Sequence, residues 1–223
     1  MKIANTPFRF FARFVLPFAT GRSARNVREL RDALRELPED VLYQHTHSFL
    51  ASHESLVPEL SNDFAPWVTE ALHNPALGER LGSVDVLGIS TLSDVRAEFL
   101  GILEEALRRG PGRDAPEGEE FRLMSAVRFS IPLGMEARTL TEFITAIEHV
   151  GPSSLFLHLY EAKLRGGGGV SDFSRWLEKE MEAPSLARAV GELDLYGWTL
   201  TDIRRRLLEL LGTANAGEDH ASS

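Results

Sequence analysis

The feature that most constrains the fold is an internal repeat, because nearly the same six letters occur twice. RFVLPF at residues 13–18 returns as RFSIPL at residues 128–133. Other matches follow in the same order through both halves. The spacing between matched residues shrinks slightly along the chain, as short loop deletions would produce. Rare residues take part, since His45 meets His158. We therefore infer a tandem duplication.

The duplication sets the expected domain organisation. We expect a first repeat at residues 8–107 and a second at residues 121–211, folded together as a single compact domain over residues 1–211. The segment between them, at residues 109–120, is rich in glycine, proline and charge and is therefore predicted to be a linker. The tail at residues 212–223 has little apolar content and is predicted to be disordered.

Each repeat is predicted to contain one strand followed by about five helices. The strand sequences RFFARFVLPF and FRLMSAVRFSIPL are rich in Phe, Val and Ile, and both reach a proline, which cannot donate to a sheet ladder. Apolar residues recur at helical spacing from Val27 to Leu37. An isolated strand would leave its backbone groups unpaired, so the two strands are expected to pair with each other about a pseudo-twofold axis. The predicted fold class is α+β and predominantly helical, with Phe8 to Phe18 as a core strand.

Composition argues against several functional classes. The 223 residues include no cysteine, which excludes disulfides, thiolate metal sites and a cysteine nucleophile, and which suits a reducing cytoplasm. The formal net charge of −9 argues against nucleic-acid binding, since affinity for phosphate depends on Lys and Arg. No apolar run approaches the ~20 residues that cross a bilayer. Arg9 and Arg13 interrupt the apolar region that a signal peptide would need.

The charge is distributed unevenly along the chain. Residues 1–35 carry eight basic side chains against two acidic ones. These basic side chains either pair with the acidic remainder of the same fold or contact an external anion, such as a ligand or a membrane surface. The sequence leaves both interpretations open.

The candidate catalytic residues lie on the second helix of the second repeat. His158 falls on the apolar face of that helix, and Glu161 and Arg165 follow it at helical spacing. One helical face would then present an imidazole, a carboxylate and a guanidinium, with His158 and Glu161 as an acid–base pair. In the alternative interpretation, His158 is a hydrogen-bonded core residue, and Glu161 and Arg165 form a solvent-side pair worth roughly 0.3 kcal/mol.

The candidate ligand-binding residues are His45 and three arginines. His45 holds in the first repeat the position that His158 holds in the second. The arginines Arg25, Arg138 and Arg165 would contact an anion in a groove between the two repeats.

Neither a metal nor a cofactor is predicted. His45, His47, His53 and Glu54 lie close together in sequence, but residues two apart on a helix point away from each other, so His45 and His47 would not share a zinc ion. The chain also lacks a Walker A loop, a strand followed by G-x-G-x-x-G, a G-x-S-x-G elbow and an H-E-x-x-H helix.

Four segments carry a resemblance to a known family. LYQHTHSFLA, SLFLHLYEAKLR, DFSRWLEKEM and LDLYGWTLTDIRRRLLEL resemble sequences of an uncharacterised prokaryotic family of unknown function, number 5752. The resemblance covers nearly the whole chain outside the linker and the tail. Because the family has no established activity, it implies no catalytic or binding residue.

Two functional hypotheses follow from the sequence. The first is a non-catalytic binding or regulatory module, whose partner would be a protein or a small anionic molecule in the groove between the repeats. The alternative is an enzyme that uses His158 and Glu161 on an unknown small substrate. A homo-oligomer is also left open.

Overall fold

In the computed structural model the chain divides into two compact units. The described part of the first unit comprises residues 2–14 and the chain from residue 129 onward, and that of the second comprises residues 15–51 and 60–128. The predicted single domain over residues 1–211 and its pseudo-twofold axis stay predictions. The structure describes residues 2–51, 60–167, 169–194, 196 and 198–221, without the side chains of 165–167 and 216–221.

Two long strands form the sheet. Strand β1 is Phe8–Ala24 and strand β2 is Phe121–Ala137, and the two are hydrogen-bonded to each other. The predicted pairing of the two strands is therefore observed. Both strands continue past the prolines that their predicted segments reach, Pro17 and Pro132. Both members of a two-stranded sheet are edge strands, where a missing donor is tolerated.

The two strands run antiparallel. Near the beginning of β1, in the first unit, Arg9 Nε donates to Glu136 Oε1 at 2.9 Å near the end of β2. Near the end of β1, in the second unit, the Thr20 hydroxyl donates to the carbonyl of Leu123 at 2.6 Å. Early residues of one strand thus meet late residues of the other.

The second unit is built from helices of the first repeat. The predicted helix that begins at Val27 is present: Asn26 caps it by accepting from the Glu29 N–H, and Val27, Leu30 and Leu34 are buried along one face. The helices are α1 (Val27–Glu36), α2 (Glu39–Tyr43), a π-helical segment (Gln44–Ser48), α3 (Phe49–Ala51), α4 (Phe64–Glu70), α5 (Pro75–Gly82) and α6 (Leu92–Arg109). Arg109, the first residue of the predicted linker at 109–120, is the last residue of α6, and residues 110–120 contain neither helix nor strand.

The first unit is built from helices of the second repeat. Thr139 and Glu142 form a capping box at the start of its first helix. The helices are α7 (Leu140–His149), α8 (Pro152–Leu159), a 3-10 segment (Glu161–Gly167), α9 (Asp172–Lys179), α10 (Pro184–Gly191) and α11 (Leu200–Ala221). The fold is thus predominantly helical with a two-stranded sheet, which confirms the predicted α+β class.

The last helix differs from the sequence-based expectation. The tail from residue 212 was predicted to be disordered, but α11 continues to Ala221. Once a helix has formed, each further residue adds one backbone hydrogen bond, so a polar segment can extend it. The Thr213 hydroxyl also bonds back to the carbonyls of Glu209 and Leu210.

An aromatic cluster holds the beginning of β1 in the first unit. The Phe8 ring lies 5.3 Å from Phe143 and 5.2 Å from Phe173, and Phe143 stacks on Trp176 at 4.9 Å. Phe10 is also buried and contacts Phe143. The first repeat therefore contributes its opening strand to the core formed by helices of the second repeat.

The second unit contains a corresponding cluster around the beginning of β2. The Phe121 ring lies 4.8 Å from His45, 5.1 Å from Phe64 and 5.4 Å from Trp67. Here the second repeat contributes its opening strand to helices of the first. The compact units therefore do not follow the predicted repeat boundaries.

The prediction of a core strand from Phe8 to Phe18 is wrong over its second half. Phe8 and Phe10 are buried, but Phe14, Leu16 and Phe18 are 47–49% exposed. The alternation that places Phe8 and Phe10 in the core continues along the strand, but the helices of the first unit cover only its beginning.

Candidate functional site

His158 lies on α8 in the first unit and uses both ring nitrogens. Its Nε2 accepts the backbone N–H of Phe11 on β1 at 3.0 Å, and its Nδ1 lies 2.9 Å from Asp172 Oδ2. Because Nε2 is an acceptor, the ring proton is on Nδ1 and is donated to Asp172. The imidazole is 3% exposed and contacts the rings of Phe8 and Phe173. It therefore holds the strand against the helices.

Asp172 links the histidine to a cation at the start of α9. It is the first residue of the helix, and Ser171 caps that helix by accepting from the Ser174 N–H. Asp172 Oδ2 binds His158, and Oδ1 lies 3.2 Å from Nη1 of Arg175 one turn later. Both carboxylate oxygens are thus engaged by groups of the same unit.

A cavity of about 310 Å³ opens beside His158 and Asp172, entirely within the first unit. This is the lower end of the size range of small-molecule sites. Its apolar wall comes from three aromatic rings, and its polar groups include three cations and two carboxylates. The lining residues are Thr6, Phe8, Arg9, Phe11, His158, Asp172, Arg175, Trp176, Lys179 and Glu180.

The carboxylates that line the cavity already accept hydrogen bonds from groups of the protein. Glu180 Oε2 accepts the backbone N–H of Thr6 at 3.0 Å, and this hydrogen bond lowers the pKa of Glu180. Asp172 is bound by His158 and Arg175. Lys179, by contrast, has no carboxylate partner within the part of the chain that the structure describes. The lining therefore contains one more cation than it has carboxylates.

The predicted catalytic partner of His158 is engaged elsewhere. Glu161, in the 3-10 segment, pairs with Arg13 of β1 at 3.3 Å, and both side chains are nearly buried. The Arg13 guanidinium also lies 5.6 Å from the centre of the Phe156 ring. His158 and Glu161 thus each bind a different part of β1, and their role as an acid–base pair stays a prediction.

His45 occupies the same arrangement in the second unit. Its Nε2 accepts the backbone N–H of Met124 on β2 at 2.9 Å, and its Nδ1–H lies 2.9 Å from Asp63. Burial raises the pKa of Asp63, and the hydrogen bond from His45 partly offsets that effect. His45 lies in the π-helical segment Gln44–Ser48, a distortion that is often found at functional sites.

Arg25 and Arg138, which were also predicted to bind a ligand, are not among the residues that line the cavity. Arg25 pairs with Glu29 at 3.2 Å, and this hydrogen bond raises the pKa of Arg25. Arg138 Nη1 donates to the carbonyl of Asn5 at 3.3 Å. The side chain of Arg165 lies outside the described residues. Binding roles for these arginines stay predictions.

Many of the N-terminal arginines have partners within their own unit. Arg22 pairs with Glu36 at 2.9 Å, and Arg31 lies 2.6 Å from Asp32. Together with the pairs of Arg9 and Arg13, these contacts favour the interpretation that the basic segment is neutralised by the same fold.

Two negative findings apply to the described residues. No group of three His, Asp or Glu side chains among them is arranged to hold a metal ion. His53 and Glu54, considered as metal ligands above, lie outside those residues. None of the helices in the described part combines the length and the apolar character that crossing a membrane requires.

Sequence analysis missed Arg175 and Lys179, although a signal for them existed. When the repeats are aligned on Trp67 and Trp176, Arg175 matches Pro66 and Lys179 matches Glu70. Arg175 and Lys179 therefore have no basic counterpart at the matching positions of the first half of the chain. A comparison that looked for differences between the repeats would have found them.

A second cavity of about 330 Å³ lies nearby in the first unit. It is lined by residues of α9 and α10 and of the segments next to them, and its charged groups are Glu178, Arg188 and Glu192. Among the described residues, its lining has more carboxylates than cations and no aromatic ring. It is therefore a weaker candidate than the cavity beside His158, in which charge and apolar surface combine.

The chain is similar to a family of unknown function and to a protein of known structure. The model of a family of unknown function (DUF5752) matches residues 5–212, which agrees with the resemblance found in the sequence. The structure of OrfY from Thermoproteus tenax is similar, with 32% sequence identity and a TM-score of 0.83, over 96% of this chain and 98% of that one. No curated protein matches the chain significantly.

Proposed function

The chain belongs to a family of unknown function (DUF5752), and we propose that it is a non-catalytic binding module for a small anionic molecule. The observation that carries this proposal is the cavity beside His158. It combines three aromatic rings with Arg9, Arg175 and Lys179, while its carboxylates are already engaged. A ligand with an anionic group and an apolar part fits this lining.

Lys179 is the residue expected to contribute most to charge recognition. Arg9 and Arg175 pair with Glu136 and Asp172, so an anion would have to share them. The ammonium group of Lys179 bears three donors and lies at the end of α9. An anion at the cavity would be attracted to it directly.

The hydrogen bonding of His158 favours binding over catalysis. A general acid or base must have a ring nitrogen within reach of its substrate. Here Nε2 accepts from the Phe11 N–H and Nδ1–H is donated to Asp172. Proton transfer to a substrate would require His158 to give up its bond to Phe11 of β1 or its bond to Asp172 of α9. His158 is therefore proposed to shape the wall of the cavity.

A thermal-shift screen tests the proposal. Inorganic phosphate, sulfate, benzoate and larger carboxylates and phosphate esters are added to the full chain, and its melting temperature is measured. A ligand at about 100 times its dissociation constant stabilises a protein by about 2.7 kcal/mol, which corresponds to roughly 5–10 °C for a chain of this size. At least one anion is expected to produce such a shift.

The control variants separate the cavity from general charge effects. Lys179→Glu, which introduces the residue type of the matching position Glu70, should abolish the shift. Arg108→Glu makes the same charge change on the exposed surface of α6 and should leave the shift intact. The proposal fails if no anion stabilises the protein, or if both variants respond like the unchanged chain.

An enzyme that uses His158 and Glu161 is the second candidate function. It is favoured by the position of His158 and Asp172 in the wall of a cavity, since paired titratable groups in clefts are frequent in active sites. In this case a ligand from the screen would be converted to a product. The conversion, followed by mass spectrometry, would be lost in His158→Gln while binding persisted.

We also propose that the chain arose by duplication, because each of the two units contains the same kinds of contact. The indole N–H of Trp67 donates to the carbonyl of Glu119, and that of Trp176 donates to the carbonyl of Thr6. The two His–Asp pairs bind opposing strands in the same manner. We propose that one repeat kept a ligand site that the other lost. We also propose that the protein is located in the cytoplasm, which the absence of cysteine supports.

A further inference from the structure

The three aromatic side chains that line the cavity beside His158 differ in exposure. Phe8 and Trp176 are each 6% exposed, whereas Phe11 is partly exposed. Phe11 lies on β1 and donates its backbone N–H to His158, so the backbone that carries its ring is held in place at the wall of the cavity. Phe11 is therefore the ring that a bound molecule would contact most.

The rings around the cavity pack against one another at steep angles. The Phe8 ring lies 5.9 Å from the Trp176 ring with 75° between their planes, and 5.0 Å from the His158 imidazole at 69°. Such edge-to-face arrangements are favoured because the positive edge of one ring meets the negative face of another. An aromatic ring in the cavity would extend this cluster, whereas an aliphatic group would gain only from the burial of its area.

The charge of the lining is matched by a single negative charge. The lining contains three cations and two carboxylates. Arg9 and Arg175 already pair with carboxylates of the protein, so Lys179 is the cation left for a ligand. A molecule with one carboxylate neutralises the lining, whereas a phosphate monoester, with about two negative charges at pH 7, would leave an excess of negative charge.

The corresponding residues of the second unit include neither the ring of Phe11 nor these two α9 cations. There the backbone N–H that binds the buried histidine belongs to Met124. The positions that match Arg175 and Lys179 in sequence are Pro66 and Glu70. A ring and a cation that serve one ligand are expected to occur together and to be absent together, which is the pattern found.

We propose that the ligand of this cavity is a small aromatic carboxylic acid with one negative charge, an inference that rests on the proposed binding function. Its ring packs against Phe11, and its carboxylate accepts from the ammonium group of Lys179. The volume of about 310 Å³ is at the lower end for small-molecule sites, which suits a single ring with a short side chain. Inorganic phosphate or sulfate would use only the charged part of the lining.

Matched pairs of acids separate the contribution of the ring from that of apolar area. Benzoate and cyclohexanecarboxylate have the same charge and the same carbon count, as do phenylacetate and cyclohexylacetate. The saturated acids have the larger apolar surface, so burial of area alone predicts that they bind at least as tightly. Because a favourable ring pair adds to the effect of area, we expect the aromatic member of each pair to bind about 3–10-fold more tightly.

The indole N–H signals of the ¹⁵N-labelled full chain report both the affinity and the place of binding. Trp176 lines the cavity and donates its indole N–H to the Thr6 carbonyl, so its signal should shift during titration with each acid. The indole of Trp67 donates to the Glu119 carbonyl in the second unit, and its signal should stay unchanged. The signals are assigned by replacing each tryptophan in turn with phenylalanine.

A variant of the proposed contact and a matched control complete the test. Phe11→Leu keeps an apolar side chain and the backbone N–H that binds His158, and it should reduce the preference for aromatic acids to less than about twofold. Phe14→Leu makes the same change at an exposed ring of β1 that does not line the cavity, and it should keep the full preference. The comparison of paired acids uses the unchanged chain, so it stands even if Phe11→Leu does not fold.

The outcomes distinguish this inference from the broader binding function. Equal affinities within each pair, with binding lost in Lys179→Glu, would overturn the aromatic ligand and leave the anion site in place. An unchanged preference in a folded Phe11→Leu would also overturn the inference. If the Trp176 signal shifts with none of the acids and with no inorganic anion, both proposals fail.

Discussion

Replacement of His158 by leucine removes two hydrogen bonds while keeping a similar side-chain volume. The Phe11 N–H would lose its acceptor in a partly buried position, which costs about 1–3 kcal/mol. Asp172 would lose a charge-assisted hydrogen bond but keep its contact with Arg175, so the second loss falls near 1.5 kcal/mol. The expected decrease in the free energy of unfolding is about 2.5–4.5 kcal/mol, measured by urea denaturation. The whole free energy of unfolding of a typical globular protein is about 5–15 kcal/mol.

His149→Leu is the matched control for this measurement. His149 is exposed on α7, and its Nδ1 lies 2.7 Å from the Thr145 carbonyl of the same helix. Its replacement should change the free energy of unfolding by less than about 0.5 kcal/mol. If His158→Leu loses less than about 1 kcal/mol, or no more than the control, the two hydrogen bonds do not hold the strand as described.

Three further changes test other parts of the structure. Phe10→Ala removes a ring that is 1% exposed and should lower the free energy of unfolding by about 3–5 kcal/mol, measured by urea denaturation. Phe18→Ala should lower it by less than about 1 kcal/mol. Equal losses in the two variants would contradict the burial pattern of β1. Thr139→Ala breaks the capping box of α7 and should lower the free energy of unfolding by about 1 kcal/mol, whereas Thr139→Ser should keep most of the stability. An unchanged melting temperature in Thr139→Ala would contradict a stabilising role for the capping box. Asp63 has a pKa raised above its usual 3.8, so between the two values the folded protein binds a proton that the unfolded chain has released. Stability should therefore fall as the pH rises from about 4 through the raised pKa. In Asp63→Asn the side-chain oxygen still accepts from His45, and the decrease in stability with rising pH should disappear. If the variant shows the same dependence of stability on pH as the unchanged chain, Asp63 is not the group that causes it.

Much of the fold follows from local patterns in the sequence. The helical spacing from Val27 onward, the cap at Asn26 and the pairing of the two strands could all be predicted, because periodicity and unpaired backbone groups are properties of a segment itself. The exposure of Phe14 could not be predicted in this way. Alternation shows which residues share a strand face, but only tertiary packing decides how far along the strand that face is covered.

The candidate site was predictable in part. Placement of His45 and His158 on apolar helical faces indicated buried histidines, and both are buried. Their acceptors and donors come from segments distant in sequence, since His158 binds Phe11 and Asp172, so helical spacing alone could not identify them. Glu161 shares a helical face with His158 in sequence, but the 3-10 turn and Arg13 draw it to another part of β1.

Calorimetric titration of an anion that stabilises the protein provides the sharpest check on the proposed binding site. The unchanged chain and Lys179→Glu are titrated under the same conditions, with Arg108→Glu as control. Loss of one favourable charge contact and gain of a repulsive one should weaken affinity by at least tenfold, or about 1.4 kcal/mol, while the control retains full affinity. Equal affinity for all three proteins would show that the anion binds elsewhere and that the cavity beside His158 is not the ligand site.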